Sequence, residues 1–72
     1  MNFLHWELDL NDGDVVQVQL DKQANVRLLD DTNFYAYRNG RRHNYHGGLV
    51  KRSPINLAAP HGGHWHVVVD LG

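Results

Sequence analysis

The sequence predicts an all-β domain: a small antiparallel β-sandwich, jelly-roll-like or a flattened barrel, with one long polar loop. Three observations predict it. Large apolar residues recur with a period of two in five segments, the mark of strands with one face on a core and the other toward water. Turn-forming residues punctuate those segments. No helical pattern is long enough to cover a sheet, so the apolar faces are expected to pack on one another.

The first segment is Leu4-Trp6-Leu8-Leu10, with His5, Glu7 and Asp9 between its apolar members. Asn11-Asp12-Gly13-Asp14 follows as a hairpin signal leading to the second, Val16-Val18-Leu20. Asp21-Lys22-Gln23 connects to the third, Val26 and Leu28. From Asp30 to Arg52 the alternation fails. Thr32 to Tyr37 suits one helical turn capped by Asp31 or Thr32, and Asn39-Gly40 and Gly47-Gly48 frame a polar loop. Loops of that length in a small domain are often functional. Ser53-Pro54 opens the fourth segment, Ile55-Leu57-Ala59, where proline is tolerated. Gly62-Gly63 opens the fifth, Trp65-Val67-Val69-Leu71, whose His64, His66, Val68 and Asp70 take the opposite face.

Seventy-two residues make one domain, spanning 1–72, and a chain so short usually needs a metal, a disulfide or a partner to reinforce its core. There is no cysteine, which excludes disulfides and thiolate zinc sites. The start, MNFLHWELDL, lacks the basic and apolar regions of a signal peptide, and no apolar run approaches the ~20 residues of a membrane span. A cytoplasmic protein with no membrane partner is therefore expected. Residues 1–37 hold two basic and seven acidic side chains, net −5, and residues 38–72 five basic and one acidic, net +4. Such asymmetry concerns steering and partners rather than fold.

Gly13-Asp14-Val15-Val16, Ala24-Asn25-Val26-Arg27-Leu28-Leu29-Asp30, Asn33-Phe34 and Tyr37-Arg38-Asn39-Gly40 form one block of the chain. Tyr45-His46-Gly47-Gly48-Leu49, Ser53-Pro54 and the run from Gly63 through His64-Trp65-His66 to Asp70-Leu71-Gly72 form another. Together they resemble a family of small bacterial proteins catalogued as domain of unknown function 1883, over essentially the whole chain. The resemblance implies a compact β-sandwich in a bacterial cytoplasm, with no known activity and no site residues to carry over. Some relatives carry a Toll/interleukin-1 receptor-type domain after this module, which implies a sensing or assembly role in signalling or defence. Relatives also continue past Asp-Leu-Gly, so Gly72 is expected to be a boundary, and a missing edge strand would leave a sheet edge exposed.

Two constellations carry chemistry. His64 and His66, at i and i+2 of a strand, share a face about 6–7 Å apart and could chelate zinc, with His61 or His5 as a third ligand. His5 qualifies only if the first and last strands pair. The alternative is a solvent-facing polar sheet surface opposite the Trp-Val-Val-Leu core face. The second constellation is the loop residues Arg38, Arg41, Arg42, His43, Tyr45 and His46. Arginine forks and aromatics suit a small anionic ligand or nucleotide, while the acidic half argues against nucleic acid. Alternatively, those arginines pair with Asp30, Asp31 or the acidic face of another copy. Asp30 is expected to accept backbone hydrogen bonds at the turn rather than to hold calcium. Ser53, the only serine, precedes Pro54 outside any nucleophile elbow. Trp6 and Trp65 are both expected to fill the core, and six histidines near a basic loop predict proton uptake between about pH 5 and 7. The resulting expectation is a non-enzymatic binding or assembly module that engages a protein partner or itself. A small anionic ligand is the alternative and a histidine metal site the second. No cofactor is expected unless His64 and His66 hold zinc.

Overall fold

The computed structural model describes residues 3–70, in which the alternating segments form strands β1 (Phe3–Leu10), β2 (Val15–Val18), β3 (Ala24–Asp30), β5 (Ile55–Ala58) and β6 (Gly63–Asp70). Between them lie a helix, α1 (Asp31–Arg38), and a further strand, β4 (His46–Val50). Two antiparallel sheets result: four strands in the order β1-β6-β3-β4, and a pair, β2-β5. The architecture is mostly β, as the alternation implies, and it is not a closed barrel. The expected position of Leu71 on the last strand, and the boundary at Gly72, lie outside the described residues.

The even-numbered residues of β3 and the odd-numbered ones of β6 face the two-stranded sheet. Val26, Leu28, Trp65, Val67 and Val69 pack there with Leu57 and Ala59, flanked by Val16, Val18 and Ile55. The opposite face is not left to water. Leu29 and Val68 are covered by Phe34 and Tyr37 of α1, with Phe3 alongside. The helix therefore does what the sequence pattern assigned to no element: it roofs the second face of the larger sheet. Strand β6 is consequently buried on both faces from Trp65 to Val69. Full burial of each such valine contributes about 1.5–3 kcal/mol over exposure.

The helix has two turns rather than one, and its N-cap is Asp30, one residue before the expected Asp31 or Thr32. The Asp30 carboxylate accepts from the Asn33 backbone N–H at 2.9 Å and from the Asn33 amide at 2.9 Å, the structural role expected of it. At the far end the Asn39 N–H donates to the Tyr35 carbonyl at 3.0 Å and the Gly40 N–H to that of Tyr37 at 3.1 Å.

Four further expectations are corrected. The turn at Asn11–Asp14 forms, with the Asp14 N–H donating to the Asn11 carbonyl at 3.0 Å, but it does not close a hairpin. Gly13 and Asp14 instead bond to Ala59 at the end of β5, and the chain crosses to the other sheet. The long polar loop shrinks to residues 39–45 because β4 follows it. Gly47-Gly48 reads as a break, yet both residues belong to the strand. Gly47 has φ +118° and lies opposite Arg27, where a Cβ would collide with the carbonyl oxygen of Val26; only glycine lets β4 close on β3 there. Finally, Trp65 is buried but Trp6 is half exposed. Trp6 has core parity on an edge strand that the second sheet does not reach.

Gly47→Ala is expected to lower urea-unfolding stability by about 2 kcal/mol or more, through strain at positive φ together with the collision. Gly48→Ala, with φ +144° and no atom near its Cβ, should cost measurably less. Equal losses would show that the approach to Val26 is not the constraint.

Candidate functional site

Pairing of β1 with β6 sets Glu7 opposite His66, Asp9 opposite His64 and His5 opposite Val68. The condition for His5 to join the histidine pair is thus met. Odd residues of β1 and even residues of β6 point to the helix side, where the first turn of α1 adds Asp31. A cluster of three histidines and three carboxylates forms from two strands about sixty residues apart and the helix between them.

His66 is the pivot. It is 2% exposed, which overturns its expected place on a solvent-facing surface: α1 lies over it. Such a buried polar ring needs partners, and it has two. Its Nε2 donates to Asp31 Oδ1 at 2.5 Å, and its Nδ1 lies 2.7 Å from His5 Nε2. Since a carboxylate only accepts, the Nε2 proton is committed to Asp31, and in that tautomer Nδ1 faces the His5 N–H as an acceptor. Phe34 stacks on His66 (4.2 Å, 4°) and on His5 (4.2 Å, 16°). The two imidazoles therefore lie side by side on one aromatic face. Burial, and then the neighbouring His66, push the His5 pKa below its ordinary value.

His64 is more open. Its Nδ1 donates to Asp9 at 2.8 Å and its Nε2 to Glu7 at 3.2 Å. Both nitrogens can donate only in the imidazolium, so the bond to Asp9 and then that to Glu7 push its pKa up to about 8. The same bond from His64 holds the Glu7 carboxyl below the usual range. His64 thus leaves the pH 5–7 window expected of the histidines. His61, the other proposed third ligand, packs its ring 4.8 Å from Trp65 on the opposite face and plays no part here.

The structure divides the arginine loop. Arg38 ends α1, and Arg41 and Arg42 follow it, all exposed. His43 donates from Nδ1 to the Arg41 carbonyl at 2.9 Å and sits between Tyr37 and Tyr45. Tyr37 and Tyr45 in turn flank the Arg27 guanidinium, each ring 5.1 Å away, and Arg27 pairs with Asp70 at 3.5 Å. His46 opens β4 opposite Leu28 and turns to the other face, 6.1 Å from Trp65; it does not join the arginines.

Two features escaped the sequence reading: the carboxylates Glu7 and Asp31 around His66, and an open flank between β1 and β2. That flank holds two adjoining hollows of about 290 and 360 Å³, sharing Trp6, Val18 and Gln19. A signal for the first existed. Leu29 and Val68 are apolar on the face assigned to water, which points to a covering element. Ser53, the sole serine, spends its hydroxyl on Leu20, accepting from its N–H at 2.7 Å and donating to its carbonyl at 3.0 Å. Among the described residues, no helix is long and apolar enough to cross a membrane.

His64, raised above the ordinary 6.5, contributes stability that is complete below about pH 6.5 and lost as pH rises through about 8. His5, lowered, contributes stability present above 6.5 and lost as pH falls through its depressed value. In chelator-treated protein, unfolding stability should therefore decline from pH 6.5 to 9, and His64→Ala should abolish that decline. An NMR titration midpoint for His64 near 6.5 would remove the basis for it.

A family model described as Domain of unknown function (DUF1883) matches residues 1–72, the whole chain. No curated protein and no solved structure matches it.

Proposed function

We propose that this chain, which belongs to the DUF1883 family, is a non-enzymatic assembly module whose open flank receives an extended polypeptide strand. The simplest such strand is β1 of a second copy. The observation that carries this reading is the state of β1. It is an eight-residue edge strand, and two of its core-parity side chains, Leu4 at 49% and Trp6 at 50%, stay exposed.

Natural sheet edges are usually blunted by lysine, proline or a bulge. Phe3–Leu10 contains no lysine or proline and pairs with β6 without a break in register. One row of its backbone N–H and C=O groups is therefore available to another strand, the mode of β-strand addition. The cleft beside it supplies side-chain pockets: Leu4, Trp6, Leu8, Val16, Val18, Val67 and Val69 line it. On the far side β5 lies against β4, so among the described residues it is the β1–β2 flank of the sandwich that stands open. A bacterial cytoplasmic setting and an accessory place beside a signalling or defence domain belong to the same proposal and rest on the family likeness. The Ser53 hydroxyl is engaged by the Leu20 backbone and is not presented to a substrate.

A second reading, recognition of a small anion, is favoured by Arg38, Arg41 and Arg42. None of them forms an ion pair with Asp30 or Asp31 among the described residues. In that case Arg41→Ala with Arg42→Ala would abolish phosphate or nucleotide binding and leave the fold intact.

Sedimentation velocity tests the first reading. Association through an apolar cleft should persist or strengthen at high salt, since screening acts on charges and not on buried apolar area. Trp6→Lys should then give a monomer with an unchanged circular dichroism spectrum. Association lost at high salt would assign assembly to the oppositely charged halves instead, and a concentration-independent monomer would overturn self-association.

A further inference from the structure

We infer that His5, Glu7 and His66 form a binding site for one divalent cation of the zinc class, with Asp31 as the outer carboxylate that orients His66. This site lies on the helix side of the large sheet and is independent of the flank between β1 and β2.

The convergence of ligand atoms is the first support. His5 Nε2 and His66 Nδ1 face each other at 2.7 Å, and Glu7 Oε1 lies 3.9 Å from His66 Nδ1. One ligand atom from each of the three residues falls within 4.8 Å of the others. A tetrahedral ion with metal–nitrogen bonds of about 2.0–2.1 Å separates its ligand atoms by about 3.3 Å, between the two observed spacings. A small outward swing of His5 and an inward one of Glu7 meet that geometry. Both side chains are exposed, and Glu7 gives up only the 3.2 Å bond from the exposed His64 to make the swing, while His66 is fixed by burial.

The second support is the partner on the far side of the ring. A metal-bound histidine characteristically gives its other N–H to a carboxylate, which fixes the tautomer and raises the basicity of the ligating nitrogen. Asp31 occupies that position on His66 Nε2 at 2.5 Å. It leaves Nδ1, the nitrogen aimed at His5 and Glu7, as the ligating atom. Phe34 then holds both rings parallel, His5 and His66 centroids 5.0 Å apart and inclined by 19°, so that their nitrogens meet edge to edge.

The choice among neighbouring groups follows from which atoms are committed. Asp31, His64 and His66 also bring donor atoms together, but that set would use His66 Nε2, which already binds Asp31. It would also use His64, whose two nitrogens are taken by Asp9 and Glu7. Two imidazoles and one carboxylate suit zinc or a similar borderline ion rather than magnesium or calcium, which favour oxygen ligands alone. Three protein ligands on an accessible rim leave a fourth position for water. Binding displaces the proton that His5 shares with His66 and ties edge strand β1 to β6, in a domain that has no disulfide to reinforce it.

The test titrates zinc chloride into the full chain, stripped with a chelator, by isothermal calorimetry. The expected result is one equivalent of zinc and a raised melting temperature. His5→Ala and Glu7→Gln, both at exposed positions, should each weaken binding at least tenfold, and Asp31→Asn by on the order of 10–100-fold. His43→Ala and His61→Ala, outside the site, should bind like the parent. Imidazole nitrogen NMR should report coordination through Nδ1 of His66 and Nε2 of His5. The inference is overturned by the absence of a saturable equivalent. Parental affinity in both His5→Ala and Glu7→Gln, or loss of binding in His43→Ala or His61→Ala, would equally overturn it. Should His5→Ala fail to fold, Glu7→Gln and the nitrogen spectrum decide the question.

Discussion

The two-sided burial of β6 is the constraint on which the rest of the domain depends. In a chain this short, a single sheet with one wet face would leave little apolar area to offset the entropy of ordering. Here the central strand is paired by β1 and β3 along its edges and covered by β2-β5 on one face and α1 on the other. Trp65, Val67 and Val69 serve one layer, and Val68 serves the other. β4 in turn extends the sheet beyond β3.

The same constraint explains the chemistry of the helix side. A strand buried on both faces cannot leave His66 unpaired, because a buried polar group without a partner costs about 1–3 kcal/mol. Asp31 answers that need because the helix starts where β3 stops: Asp30 caps it, and the next residue falls above His66. Phe34, one turn on, lies flat against the ring. The short helix is thus both a roof for Leu29 and Val68 and the source of the carboxylate that gives His66 a defined tautomer.

Strand β1 joins the two candidate surfaces. Its odd residues, His5, Glu7 and Asp9, meet the histidines of β6. Its even residues, Leu4 and Trp6, border the open cleft. Because β1 is an edge strand held by one neighbour only, anything that fastens it to β6 on one face also firms the edge that a strand could join. The opposite edge strand, β4, is seated differently, through Gly47, which brings it hard against the Val26 carbonyl of β3.

Period-two alternation and turn residues determined the β class, five of the strands and the role of Asp30 as a backbone hydrogen-bond acceptor at the turn, because these depend on local backbone geometry and on which side of a strand each residue occupies. Locality also sets what they could not reach. Alternation distinguishes the two faces of a strand but does not say what covers each, so His66 read as solvent-facing although Val68 and Leu29 shared its face. Gly47-Gly48 read as a loop because the use of Gly47 is a close approach to Val26, a contact made across strands. Trp6 read as core because parity takes no account of which strand ends up at an edge. The meeting of His5, Glu7, His66 and Asp31 needed the β1–β6 pairing and the helix above it. Only the tertiary structure decided that, because those residues converge through strand order and layer packing between segments distant in the chain, and no local pattern encodes either.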